Sequence, residues 1–197
     1  MKIAYIAAGA AGMYCGNCLH DHALALAMRG LGEDFTLVPT YTPLLTDFDQ
    51  GDEVRKGGVF FNGASAFLQQ HIPFLRKPRP VIDRVLNSRP VEGILSRLSP
   101  GTDAASLGPL TQSMLEGEDG NQAREIDGLV RWLKEEMKPD IVHLSNLLLV
   151  GMARRLREEV GVPVVCSMQS EAHFIDSLKE PYQSNCIQEI QVRANEL

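Results

Sequence analysis

Cys15 and Cys18 frame the tetrapeptide Cys15-Gly16-Asn17-Cys18 at the junction of an apolar strand and a periodic helix. A helix N-terminus lowers the pKa of a thiol placed there, so the pair fits a glutaredoxin-like or thioredoxin-like redox function. Gly161-Val162-Pro163-Val164 could supply the proline-containing strand that faces such a pair, but more than a hundred residues lie between the two elements. Gly9, Gly12 and Gly16 fall in the same turn, where unpaired backbone N–H groups and the helix dipole hold phosphate or another anion. Their spacing is not G-x-G-x-x-G, so they point to a nucleotide-handling fold without specifying a dinucleotide. His143 closes a buried strand, and His20 and His22 occupy the first turns of helix one. Glu171 and Asp176 follow the last strand, where a carboxylate binds a sugar hydroxyl or simply faces solvent. No second C-x-x-C and no H-x₃-H completes four ligands, so no metal centre is expected.

These groups depend on the elements that carry them. Lys2 to Ala7 is nearly all apolar, as a strand buried on both faces of a parallel sheet must be. Helix one places Leu19, Ala23, Leu26 and Gly30 on one predicted buried face and breaks at Gly30 to Gly32. Strand two is Phe35 to Val38, Thr40 to Gly57 reads as a long polar loop, and Val59 to Phe61 as a short third strand. From Ala64 to Lys138 the pattern is mostly helical, interrupted by prolines, with Gln122 to Lys138 the clearest helix. Then follow strand Ile141 to Leu144, helix Leu147 to Glu159 ending at Gly161, and strand Val164 to Met168.

Strands separated by helices predict an α/β fold with a doubly wound, mostly parallel Rossmann-like sheet and a helical insertion at about 64–138. A strand order of 3-2-1-4-5 puts the ligand crevice between strand one and the strand ending at Leu144, outside the carboxyl ends. The predicted cleft is Gly9 to Asn17, Ser145-Asn146 and Gln169 to Glu171.

With 197 residues, 44% of them hydrophobic, the chain suits a single domain, and no run reaches the roughly 18 apolar residues of a membrane span. The N-terminus lacks the pattern of a secretion signal and there are only four cysteines, so a cytoplasmic protein is expected. The net charge of −6 disfavours nucleic acid as a partner. Charge is uneven, however: Ser65 to Pro100 holds six basic residues against two acidic ones. Within it, segment 67–98 interleaves arginines with Phe67, Leu68, Ile72 and Phe74, a surface suited to peripheral contact with anionic lipid at the inner membrane face or to an anionic acceptor. The helix read over Asn185 to Leu197, with Ile187, Ile190 and Ala194 on one face, reaches the last residue without a stop signal, as expected of a piece of a longer polypeptide.

Three phrases in order carry a resemblance. Ala27-Met28-Arg29-Gly30-Leu31-Gly32-Glu33-Asp34-Phe35-Thr36-Leu37-Val38, Pro139-Asp140-Ile141-Val142-His143-Leu144-Ser145-Asn146 and Gly161 to Gln169 resemble the N-terminal half of a GT-B glycosyltransferase of family four, the glycogen-synthase-like group. The resemblance implies retaining transfer of a sugar from a nucleotide-sugar donor to an acceptor, of hexosyltransferase type, without a dinucleotide cofactor or an obligatory metal. It also implies that this chain is the acceptor-side domain, inactive without a C-terminal donor domain. Gly9, Gly12, Gly16, Asn17, Ser145, Asn146, Gln169 and Glu171 then become candidate substrate-binding residues, and His143, Gln169 and Glu171 candidate catalytic ones. His143 matches the first histidine of the family's P-D-V-V-H-x-H phrase, and Ser145 replaces the second. Gln169 stands where relatives carry a histidine near the reacting sugar, and glutamine cannot act as a general base at neutral pH. A non-catalytic nucleotide-sugar-binding module is the other alternative to the redox reading.

Overall fold

The computed structural model describes residues 1–9, 16–41, 54, 61 and 104–197. Four strands form one all-parallel sheet: β1 (Lys2–Ala7), β2 (Asp34–Pro39), β3 (Ile141–Leu144) and β4 (Val164–Cys166), in the order β2-β1-β3-β4. Helix α1 (Gly16–Gly30) connects β1 to β2. Helices α2 (Ala104–Glu116) and α3 (Ala123–Trp132) precede β3, and α3 widens into a π-type turn at Leu133–Met137. A mixed helix joins β3 to β4, built from a 3-10 segment Leu147–Met152, one α turn α4 (Ala153–Arg155) and a π-type turn Leu156–Val160. The short α5 (Glu171–Asp176) and the longer α6 (Tyr182–Ala194) complete the described chain.

Register explains the layering. Side chains alternate along a strand, so Ile3, Tyr5 and Ala7 of β1 pack toward α1 with Phe35, Leu37, Cys18 and Ala25. Ala4 and Ile6 pack on the other face with Val142, Leu144 and Val164, beneath Leu129, Leu133, Leu149 and Leu156 from α3 and the mixed helix. Those four leucines are wholly buried, each worth about 2 kcal/mol in transferred apolar surface. The helices stop where the backbone turns left-handed, at Lys138 (φ 49) before Pro139 and at Gly161 (φ 78), and the chain re-enters the sheet at once. Gly151 permits a close approach of helices: a Cβ there would collide with the carbonyl oxygens of Met114 and Leu115.

The parallel α/β sheet is as expected, with β1 central and the order reversing between β1 and β3. Of the predicted third strand only Phe61 is described, buried with its N–H donating to Thr40 O at 2.6 Å, and Val54 makes an isolated parallel bridge to Leu37. The last strand is shorter than the span Val164 to Met168, ending at Cys166. Pro109 does not interrupt the helical pattern, since α2 runs through it. The basic segment 67–98 lies outside the described residues, as do Gly12 and Cys15. No helix among the described residues is long and apolar enough to cross a membrane.

Two predicted faces need correction. On α1 the buried positions are Cys18, Asp21, His22 and Ala25, while Leu19 is 37% and Leu26 47% exposed, and Ala23 and Gly30 are also exposed. The helical spacing holds but is displaced by about one residue, because Asp21 turns inward to meet Tyr5. On α6, which begins at Tyr182 rather than Asn185, Cys186 and Arg193 are the buried residues and Ile187 is exposed. Arg193 reaches back to Glu116 O at 3.0 Å and Asp119 Oδ2 at 3.2 Å, and this polar anchor sets the rotation of the helix.

Candidate functional site at the carboxyl ends of the strands

Three segments of the predicted cleft meet at the carboxyl rim of the sheet. Asn17, in the first turn of α1, faces Ser170 at 3.4 Å. Gln169, in the loop after β4, donates its two amide hydrogens to Asp21 Oδ1 at 3.0 Å and to Ser145 O at 2.8 Å. Two acceptors on one nitrogen fix which end of the amide is Nε2. Ser145 in turn continues the β1–β3 ladder, its N–H donating to Ile6 O at 2.9 Å. Asn17 and Ser145 are therefore joined on one rim through the loop that carries Gln169 and Ser170.

Glu171 holds this arrangement from behind. The residue is 6% exposed, and its carboxylate accepts the backbone N–H of Leu147 at 2.9 Å and of Gln169 at 2.7 Å. One oxygen serves the start of the mixed helix and the other the β4–α5 loop, so Glu171 positions backbone and has both oxygens engaged. Asn146 caps the mixed helix, its Oδ1 accepting from Leu148 N at 3.1 Å.

The centre of the network is a pair that the sequence reading did not single out. Tyr5 donates its hydroxyl to Asp21 Oδ1 at 2.7 Å, and His20 Nδ1 lies 3.3 Å from the same oxygen. Burial raises the Asp21 carboxyl above its ordinary range, opposed by the hydrogen bonds from Tyr5, His20 and Gln169. Burial and the neighbouring Asp21 also push the Tyr5 phenol up, so it stays a donor. Tyr5 was visible as the only hydroxyl in an otherwise apolar run, and Asp21 as the carboxylate between Cys18 and Ala25 at helical spacing.

His143 pairs with Tyr5 across the β1–β3 ladder, their rings edge to face at 4.7 Å. Its Nε2 lies 2.7 Å from Ser167 Oγ. Burial lowers its pKa, partly countered by Asp21, which favours a neutral imidazole able to accept a hydrogen bond.

Of the remaining candidates, Gly9 has φ 99, a left-handed turn that suits glycine where β1 leaves the sheet. Gly16 opens α1, and among the described residues nothing lies within 4 Å of a Cβ placed there. Cys18 is 2% exposed within the α1-side core, and Asp176 is exposed at the end of α5, away from these contacts. Among the described residues no group of three His, Cys, Asp or Glu side chains could hold a metal ion. Among the described residues the rim thus offers fixed hydrogen-bond acceptors, the imidazole of His143, whose pKa burial lowers, and the backbone at Gly9 and Gly16. No protein-family model, curated protein or solved structure matches the chain.

Proposed function

We propose that this chain is the acceptor-side domain of a retaining glycosyltransferase of GT-B architecture, acting with a nucleotide-sugar donor. The observation that supports it most is the bonded convergence of Asn17, Asp21, Ser145, Gln169 and Ser170 at the point where strand order reverses, which is where open α/β sheets bind ligands. In the transfer, the bond from the sugar's anomeric carbon to the diphosphate breaks, a bond to the acceptor oxygen forms, and the acceptor's proton must leave. The backbone N–H groups of Gly9 and Gly16 would meet the diphosphate, and Gln169 and Asp21 would orient hydroxyls. His143, whose pKa burial lowers, would take the acceptor's proton. Glu171 acts at one remove, by fixing the backbone that carries Gln169.

The test is turnover by the whole encoded polypeptide, including any residues that follow Leu197, with UDP-, GDP- and ADP-glucose and a panel of sugar acceptors. Proton NMR is expected to show nucleoside diphosphate released and a new glycoside with the donor's anomeric configuration. Tight nucleotide binding by residues 1–197 alone, with no transfer by the whole chain, would instead identify a nucleotide-sugar-binding module.

A further inference from the structure

Register brings a hydroxyl and an imidazole together beside the network of Tyr5, Asp21 and Gln169. Tyr5, His143 and Val165 stand in one row across the sheet, since Tyr5 pairs with His143 and His143 with Val165. Ser167 lies two residues beyond Val165 and continues the ladder, its N–H donating to Leu144 O at 2.9 Å, so its side chain rises on the same face. There Ser167 Oγ meets His143 Nε2 at 2.7 Å. The face is open at this edge of the sheet: Val165 is 40% and Met168 77% exposed, and Ser167 and His143 are each half-buried. Ser167 has no role in the sugar transfer described above.

The position of Ser167 in the chain suits a nucleophile. It follows β4 directly and precedes α5, the strand-turn-helix order of the nucleophile elbow, here without that motif's flanking glycines and without a positive φ at the serine. In such a turn the backbone N–H after the nucleophile stabilises the oxyanion, and the Met168 N–H makes no hydrogen bond among the described residues. The Tyr5 ring, edge-on to the imidazole at 4.7 Å, holds the base in place.

We infer that Ser167 Oγ and His143 Nε2 form a nucleophile-base dyad that takes the acyl group of short-chain carboxylic esters. The inference stands apart from the glycosyltransferase reading. In the tautomer protonated at Nδ1, the Ser167 hydroxyl donates to Nε2. Oγ bonds to the ester carbonyl carbon as its proton passes to Nε2, and the bond to the alcohol oxygen breaks, the alcohol leaving with that proton. Water then adds to the acyl carbon and gives a proton to Nε2, the bond from the acyl carbon to Oγ breaks, and the carboxylic acid leaves as Oγ recovers the proton. Val165 and Met168 put exposed apolar surface on either side of the serine in sequence, which suits a short acyl chain.

A fluorophosphonate probe, which a reactive serine attacks with loss of fluoride, tests the dyad without any sugar or nucleotide. Peptide mapping by mass spectrometry is expected to find the adduct on Ser167, and Ser167→Ala to abolish it. His143→Gln, which leaves Ser167 in place, is expected to slow both labelling and p-nitrophenyl butyrate hydrolysis by about a hundredfold or more. Ser184→Ala, on α6, is expected to keep both rates, with circular dichroism confirming that the variants fold. The ¹⁵N shifts of the His143 ring need no variant and are expected to show Nε2 as the unprotonated nitrogen. No adduct on Ser167, labelling at an equal rate in folded His143→Gln, or a proton resident on Nε2 would overturn the inference. The two proposals fail separately. Labelling of Ser167 with no sugar transfer by the whole polypeptide would sink the transferase alone, while transfer by a protein whose Ser167 is unreactive would sink only the dyad.

Discussion

Glu171→Ala is expected to destabilise the domain by about 2–4 kcal/mol, read as a lower urea midpoint with unchanged slope. The carboxylate accepts two part-buried backbone N–H groups, from Leu147 and Gln169, and alanine leaves both without their partner. A hydrogen bond to a charged group contributes about 1.5–3 kcal/mol net, and leaving a buried donor unsatisfied costs a similar amount. Glu171→Gln keeps one acceptor oxygen and should fall between the two. The loss should be local as well as global, with amide exchange at Gln169 and Leu147 rising before the core of β1 opens. A midpoint within about 0.5 kcal/mol of the unaltered protein, the scatter of an ordinary surface substitution, would show that Glu171 does not hold the loop.

The second large effect has the opposite sign. Asp21→Asn is expected to stabilise the fold at pH 7 by on the order of 1 kcal/mol, a size common for relief of functional-site strain. Desolvation is the largest cause acting on Asp21 and raises its pKa in the folded state, so folding favours the protonated carboxyl. Stability from such a group is complete below the unfolded carboxyl's pKa and is lost as pH rises through the higher folded pKa. Above its raised folded pKa the native protein carries an ionised, buried Asp21, whereas asparagine remains neutral and still accepts from Tyr5 and Gln169. The gain should therefore shrink as the pH is lowered and vanish near about pH 3, where the aspartate is protonated whether folded or not. Thermal unfolding of both proteins from pH 3 to 8 checks this. A melting temperature for Asp21→Asn below that of the native protein at pH 7 would mean that the charge-assisted bonds outweigh desolvation. A buried carboxylate whose pKa burial raises is easier to understand at a binding rim than as a core residue.

Much of this arrangement was legible in the sequence. Apolar runs at Lys2–Ala7 and Ile141–Leu144 and the glycine stops after α1 and the mixed helix specify a parallel α/β sheet, and that topology brings Asn17, Ser145 and Gln169 to one end. Rotation of the helices was not legible. Leu19, Ala23 and Leu26 satisfy the apolar period, but Asp21 and His22 are the residues that turn inward, since a hydrogen bond from Tyr5 outweighs one residue's shift in the apolar stripe. The same physics misleads at α6, where buried Arg193 sets the face and Ile187 remains exposed. Glu171 reads from sequence as a loop acid free to meet a sugar. Its partners are backbone N–H groups brought close by two separate crossovers, and residue spacing carries no trace of them.

The central claim is that the carboxyl rim between β1 and β3 is the ligand site. Its most direct test is a map of ¹H–¹⁵N chemical-shift changes across the chain on adding the monosaccharide that binds best. The expected map has its largest changes at Gly9, Asn17, Asp21, Ser145 and Gln169, and none at the amino ends of the strands around Lys2, Asp34 and Asp140. Changes concentrated at those amino ends, or on the outer faces of α3 and α6, would contradict it.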